Sequence, residues 1–290
     1  MSDLTALEDL VILVLAALVP SLAFLSWVRT SERYGTEPWG ALLNLFAYGA
    51  LGATFVAAIL EVVLVDLGTA ASQRYPAPEF SFLNSHSTAG AFFVVLVIAP
   101  FVEEGLKASG VVRASDRLKA LADGPVFGAS VGLGFGFFET FLYGLGAFLV
   151  GGLVAGLELI LVRSFSSVLL HGSSTAMFGY GYARSKLAGS SGAAGGYYLL
   201  AVAMHASFNA LASLGALVQA AGYSTTLGGY ADLLGLILAV VFALAAIDHV
   251  VSVVRRHDSA VPTPGLHRYR PPTLTPKPPR AGGTPGAPRR

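Results

Sequence analysis

Long apolar runs, separated by short polar clusters, set the pattern of this chain. They extend from Leu7 to Trp27, Ala41 to Leu67, Ala89 to Val112, Pro125 to Phe148, Leu157 to Ala183, Tyr197 to Val218 and Ala231 to Val254. Each is about twenty residues or longer, the length an α-helix needs to cross a hydrocarbon core of ~30 Å. The pattern predicts an all-α polytopic membrane protein of seven transmembrane helices. The count rises to eight if Phe148 to Val162 forms a re-entrant or interfacial segment of its own.

The polar clusters between the runs give an orientation, because cytoplasmic loops carry the excess of Lys and Arg. With the N-terminus outside, one face collects Arg29, Arg33, Arg113, Arg117, Lys119, Arg184, Lys186 and the basic C-terminal tail. The other face receives only Arg74. This asymmetry predicts an odd number of spans in an N-out, C-in arrangement.

Composition agrees with the membrane class: 54% of residues are hydrophobic, 12% are charged, and the mean hydropathy is +0.67. Met1 to Leu10 holds Asp3, Glu8 and Asp9 but no basic residue. It therefore lacks the positive start of a cleaved signal peptide, and the first helix is expected to be retained. Residues 1–255 form the membrane domain. Residues 256–290, rich in Pro, Gly and Arg, have too few large apolar side chains for a core and read as a disordered cytoplasmic tail. The net charge of +1 combines a mildly acidic body with this basic appendage and points to the bilayer, not to nucleic acid, as partner. The absence of Cys excludes thiolate catalysis, disulfides and Cys-ligated zinc.

Four motifs interrupt the apolar runs: Glu103-Glu104-Gly-Leu-Lys107, Phe135-Gly-Phe-Phe-Glu139, His171-Gly-Ser-Ser-Thr175 and His205-Ala-Ser-Phe-Asn209. A charge at mid-bilayer costs at least ~2.5 kcal/mol on insertion scales, so such residues mark function by default. Counted from the flanking polar residues at 1.5 Å per residue, Glu103 and His205 lie roughly 15 Å deep, His171 roughly 20 Å and Glu139 roughly 22 Å. All four fall in one slab. Glu103 and Lys107, His171 and Thr175, and His205 and Asn209 are i, i+4 pairs that share a helix face. Glu103 and Glu104 point about 100° apart, so one is expected to face the site and the other a supporting partner. Glycines 124, 128, 132, 134 and 136 before Glu139, and 172, 179 and 181 after His171, allow close helix approach in lipid.

These residue types suit two hydrolytic mechanisms. A carboxylate can take a proton from water while His and Asn donate to the oxyanion. Alternatively, two His and one carboxylate can hold a catalytic zinc, with a second Glu as base. No His-Glu-x-x-His occurs, so a metal site would have to be assembled from separate helices. Ser173 and Ser174 beside His171 lack the Asp of a serine triad. Arg163, two turns before His171, is a candidate anchor for a carboxylate. Glu61, Glu158, Asp248 and His249 read as interfacial residues near helix ends.

The ordered set Glu-Glu-x-x-Lys, Phe-x-x-x-Glu, His-x-x-x-Thr and His-x-x-x-Asn resembles the PrsW family of bacterial intramembrane proteases, relatives of the CAAX prenyl endopeptidases and bacteriocin-processing enzymes. The resemblance covers Glu103 to Asn209. Arg33-Tyr-Gly-Thr-Glu37-Pro38-Trp39 also looks like the Glu-Pro loop of such sequences. Where CAAX-type relatives carry Arg and His, this chain has Lys107 and Glu139, which favours PrsW.

The resemblance implies a multi-pass protease of the bacterial cytoplasmic membrane that cuts a membrane-anchored protein, such as an anti-sigma factor. It also implies roles: Glu103 as water-activating base, Glu104 and Lys107 as its charge partners, Glu139 and His171 as metal ligands or acid/base partners, and His205 with Asn209 on the oxyanion or metal side. Zn2+ held by Glu139, His171 and His205 is the implied cofactor, and a metal-free glutamate mechanism is the alternative. The site is expected to open to water from the cytoplasmic half. Two other functions fit the residues alone. One is a proton- or cation-coupled transporter, for which the expected inverted repeat is missing. The other is an inactive protease-like binding protein, for which a motif residue should be lost, and none is.

Overall fold

A single apolar stretch of 65 residues, Asp123–Leu187, organises the molecule. The computed structural model describes residues 3–33 and 36–258, all of them in helices or in the turns between them. The helices are α1 (Asp3–Arg29), α2 (Trp39–Ala47), α3 (Thr54–Arg74), α4 (Thr88–Phe93), α5 (Ala99–Arg113), α6 (Asp123–Ser164), α7 (Ser167–Leu187), α8 (Ala193–Ala212), α9 (Leu214–Ala220) and α10 (Thr225–His257). Two π-helical turns, Tyr48–Ala53 and Val94–Ile98, join α2 to α3 and α4 to α5. The second lies just ahead of Pro100, which has no N–H for the regular ladder.

The long stretch doubles back on itself. Gly152 breaks α6 with a φ of 81°, a left-handed conformation that glycine adopts without steric cost. From there the chain returns antiparallel, and the contacts step evenly along both strands of this helical hairpin. A methyl group at Gly124 would overlap the backbone of Gly179, one at Gly128 that of Thr175, and one at Gly132 the carbonyl of His171. Small residues at intervals of four thus bring the two backbones into contact, as helix association in lipid requires. The stripe also fixes the height and rotation of His171. Within the Phe148 to Val162 region, the structure therefore has a turn at Gly152 followed by a helical segment. That segment runs to a break at Phe165 and Ser166 before α7 begins.

Around this hairpin α1 packs on one side, with Leu13 and Ala17 against Ile160. The main core joins Leu42 and Phe46 of α2, Phe127 and Val131 of α6, Leu169 and Leu170 of α7, and Ile247 and Val251 of α10. The outer surface is apolar: Ile59, Val62, Leu67, Ile237 and Val241 are all exposed. Each such side chain in water would forgo about 1.5–3 kcal/mol of burial free energy, so this surface belongs in lipid.

Five helical stretches among the described residues are long and apolar enough to cross a bilayer, and the bent pair α8 and α9, 68° apart, makes a sixth. These counts treat the hairpin as one stretch. The chain is an all-helical, multi-pass membrane protein. The predicted disordered tail lies, from residue 259 on, outside the described residues.

Candidate active site

Four helices place polar side chains between them. From α5 come Glu103, Glu104 and Lys107, from α6 Glu139, from α7 His171, Ser174 and Thr175, and from α8 His205. Lys107 is completely buried, and Glu103, Glu104, His171 and His205 are each at most 7% exposed.

Lys107 is the hub of this group. Its ammonium donates to Glu104 Oε1 at 2.7 Å and to His171 Nδ1 at 2.8 Å, and it stands 3.6 Å from Glu103 Oε2. The Phe135 ring lies 4.5 Å from it. An ammonium has only donors, so His171 Nδ1 must accept and Nε2 must carry the ring hydrogen. That Nε2–H donates to Glu139 Oε2 at 2.8 Å. One lysine therefore sets the imidazole tautomer, and the carboxylate beyond it sets the ring's direction.

The two successive glutamates have different surroundings, as their angular separation predicts. Glu104 accepts from Lys107, from Ser174 Oγ at 3.0 Å, from Thr175 Oγ1 at 3.4 Å and from His205 Nδ1 at 3.1 Å. It is a buried carboxylate with four donors. Glu103 instead presents a buried Oε2 with no hydrogen-bond partner among the described residues. This oxygen lies 3.9 Å from His171 Nδ1 and 3.9 Å from His205 Nδ1. The two imidazoles meet edge to face, with centroids 4.9 Å apart.

Glu139 is held differently from the sequence expectation. Arg163 Nη2 donates to its Oε2 at 2.7 Å and to Ser167 Oγ at 2.9 Å. The guanidinium also covers the Tyr143 ring at 4.0 Å. Arg163 is thus the carboxylate anchor that its position before His171 suggests. Ser167 was not foreseen. Its only sequence signal is its place four residues before His171.

The structure brings Glu103, Glu104, Lys107, Glu139, His171 and His205 together, while the Asn209 amide nitrogen is engaged outside this group. Asn209 Nδ2 donates to the Val95 carbonyl at 2.9 Å, inside the π-helical turn before α5. Ser173 turns back on its own helix to Leu169 O at 2.6 Å, and Ser174 serves Glu104, so neither stands as a nucleophile. Two cavities, of about 350 Å³ beside Tyr48 and Arg113 and about 630 Å³ beside Val95 and Ser213, flank the helices. Neither is lined by a member of the Glu/His group.

A metal is tested by the donor set. Glu103, His171 and His205 offer ligand atoms that all lie within 4.8 Å of one another. Two imidazoles and one carboxylate are a known zinc first shell, and the unpartnered Glu103 oxygen is a ligand in waiting. The carboxylate in this close group is Glu103, whereas Glu139 is engaged by Arg163 and by His171 Nε2. His205 uses Nδ1 on Glu104, which leaves Nε2 for a ligand. Both nitrogens of His171 are engaged, so an ion must displace a partner. Lys107 is the one able to yield, since Glu104 already holds it at 2.7 Å. With that exchange the residues fit a divalent ion.

The Glu-Pro loop forms a separate network at the end of α1. Glu37 N–H donates to Glu32 Oε2 at 3.2 Å, Arg29 Nε donates to the Glu37 carbonyl at 2.7 Å, and Arg33 N–H donates to Asp258. Burial pushes the Glu32 carboxyl up to about 8, opposed by the Glu37 N–H bond and reinforced by the nearby charges of Asp123, Glu37 and Asp258. Burial also raises Glu37, reinforced by Asp123 and opposed by Lys119, Arg117 and Arg29. None of these neighbours belongs to the Glu/His group. Tyr34 and Gly35 of this motif lie outside the described residues.

Buried carboxylates, imidazoles and a lysine between lipid-facing helices are the make-up of a membrane-embedded hydrolase. Comparison with known proteins agrees: the profile of the PrsW family intramembrane metalloproteases matches residues 37–247, and the chain belongs to that family. It is 28% identical over 176 residues to Protease PrsW of Geobacillus kaustophilus, covering 61% of this chain and 68% of the relative. It is 27% identical over 180 residues to Protease PrsW of Shouchella clausii, covering 61% and 71%. The match to Protease PrsW of Clostridioides difficile is 28% over 134 residues, covering 45% and 50%, so the chain spans about half the length of that relative. No solved structure matches the chain.

Proposed function

We propose that this protein is an intramembrane endopeptidase that hydrolyses a peptide bond of a membrane-anchored protein, with Glu103 as the base that takes a proton from the attacking water. The observation that carries this reading is the buried Glu103 Oε2, occupied by no hydrogen bond from the described residues, beside two oriented imidazoles and 3.6 Å from Lys107. A base needs an acceptor that water can reach, and among the three motif glutamates Glu103 is the one with a buried oxygen that no hydrogen bond from the described residues occupies. Glu104 and Lys107 hold the surrounding charges, and Glu139 with Arg163 holds His171. In the metal-dependent alternative Glu103 joins His171 and His205 as a ligand instead of serving as the base, and the divalent ion would polarise the scissile carbonyl and make its bound water more acidic.

Counting the hairpin as two passes and α8 with α9 as one gives seven spans. The Lys and Arg asymmetry then puts the N-terminus outside and the end of α10 in the cytoplasm. On this reading the protein resides in a bacterial cytoplasmic membrane. The substrate segment enters laterally between helices and unwinds at the site, and an anti-sigma-factor-like membrane protein suits that route.

The test is cleavage of a tagged single-span substrate library by purified protein in liposomes, with Glu103→Ala and His205→Ala variants matched for folding. Cleavage by the wild type that both variants lose is the expected result. Loss on chelation, with recovery on adding Zn2+, would assign the metal mechanism, and persistence would assign the glutamate one. Equal cleavage by the variants, or none by the wild type across a broad library, would overturn the reading.

A further inference from the structure

Five buried side-chain polar atoms lack a hydrogen-bond partner among the described residues: Glu61 Oε1, Glu103 Oε2, Thr140 Oγ1, Arg163 Nε and Ser164 Oγ. Four belong to the site or to residues next to Glu139 and Arg163. The fifth, on Glu61, comes from α3, which supplies nothing to the group described above.

Its position explains the coincidence. Ala53 and Ala57 pack on Phe135, with Val102 and Leu106 against them, so this face of the helix looks inward. Glu61 follows Ala57 by four residues on the same face. Its strongest charged neighbours are Glu139 and Lys107, and it is itself among the charges acting on Glu103. An unpaired acceptor buried here costs free energy unless something in the finished site answers it.

Charge counting indicates what answers it. When ionised, Glu61, Glu103, Glu104 and Glu139 carry four negative charges against two positive ones on Lys107 and Arg163, with both imidazoles neutral. In that fully ionised state the interior is two positive charges short, in a medium where imbalance is expensive. One divalent cation at Glu103, His171 and His205 brings the sum to zero. Without Glu61 the same ion would leave an excess of one positive charge.

We propose that Glu61 is the fourth carboxylate of the centre, a positioning residue whose negative charge sets the affinity of the Glu103, His171 and His205 group for a divalent cation. The proposal rests on the metal-centre reading above but needs no proteolysis for its test. Full-length protein in nanodiscs, stripped with chelator, is titrated with Co2+ and followed by its visible ligand-field absorption. The variants are Glu61→Gln, which removes the charge, Glu61→Asp, which keeps it, and Glu158→Gln, which removes an exposed carboxylate elsewhere.

Glu61→Gln is expected to weaken Co2+ binding by about tenfold or more, since a unit charge acts strongly on a divalent ion across a poorly screened interior. Glu61→Asp and Glu158→Gln are expected to stay within about threefold of the wild type. If Glu61→Gln does not fold, the pair Glu61→Asp and Glu61→Asn, close in size and different in charge, gives the same contrast. Unchanged affinity in the neutral variant, or equal weakening in the Asp variant, would overturn the role of Glu61 and leave the metal centre standing. No Co2+ binding by the wild type would overturn both.

Discussion

Replacing Lys107 with Met tests whether one ammonium holds the site together. Methionine is close to lysine in length and fills the space against Phe135, so the change removes charge and donors with little change in volume. It deletes the bonds to Glu104 at 2.7 Å and His171 at 2.8 Å. Glu104 keeps Ser174, Thr175 and His205 as donors but loses its nearest positive charge. Removing one partner of a buried ion pair costs about 3–5 kcal/mol, because the other charge stays buried. Even about 3 kcal/mol would lower the melting temperature of a domain this size by roughly 6–12 °C. The double variant Lys107→Met/Glu104→Gln removes both charges while the amide can still accept from Ser174 and His205. It should recover more than half of the loss, a coupling of at least about 2 kcal/mol. Thermal unfolding in detergent, followed by circular dichroism, measures the wild type, Lys107→Met, Glu104→Gln and the double variant. A single variant within about 1 kcal/mol of the wild type, or losses that simply add, would refute the pairing argument.

Gly132→Ala should cost about 1–3 kcal/mol and depress cleavage, because its methyl overlaps the His171 carbonyl. Gly146→Ala, with open space around it, should be neutral or slightly stabilising, and parallel unfolding and cleavage measurements separate the two. Asn209→Ala should cost about 0.5–1.5 kcal/mol while retaining cleavage, since its amide serves Val95 and not the Glu/His group; a loss as large as that of His205→Ala would return Asn209 to the catalytic machinery. For Glu32, raised from an ordinary 4.5 to about 8, the folded state holds a proton that the unfolded chain gives up. Its stabilising contribution is complete below about 4.5 and is lost as pH rises through about 8. The difference in melting temperature between wild type and Glu32→Gln should therefore change across that window in favour of the Gln variant at high pH, and a pH-independent difference would contradict the burial of Glu32.

The helical membrane class and the convergence of four motifs were legible because both rest on local rules: length of apolar run, depth at a fixed rise, and face at a fixed angle. The angle between Glu103 and Glu104 predicts that the two differ in role, and which one is saturated follows only from the partners on α7 and α8. What was hidden depends on partners from other helices. The i, i+4 spacing predicts the Lys107–Glu103 ion pair, which forms at 3.6 Å, but not that the same ammonium bonds Glu104 more closely and reaches His171 on α7. Glu139 has the chemistry of a ligand, yet Arg163, twenty-four residues away along the hairpin, engages it. The turn that makes this pairing falls at Gly152 within an apolar stretch that carries no polar break.

Glu61 shows most clearly which sequence quantity tells where a side chain points. Measured to the end of its apolar run at Leu67, it stands six residues inside and reads as an interfacial side chain. The helix, however, continues past Leu67 to Arg74, which places Glu61 thirteen residues from its end. The helix outlasts the apolar run by seven residues, so the run alone understates how far Glu61 lies from the helix end. The face was available throughout: Ala53, Ala57 and Glu61 recur every four residues, and in lipid a stripe of small residues marks the side that meets protein. A carboxylate that continues such a stripe points at neighbours, not at headgroups. Helix face is therefore a better guide than distance from the end for choosing which acidic residues to mutate first in proteins of this architecture.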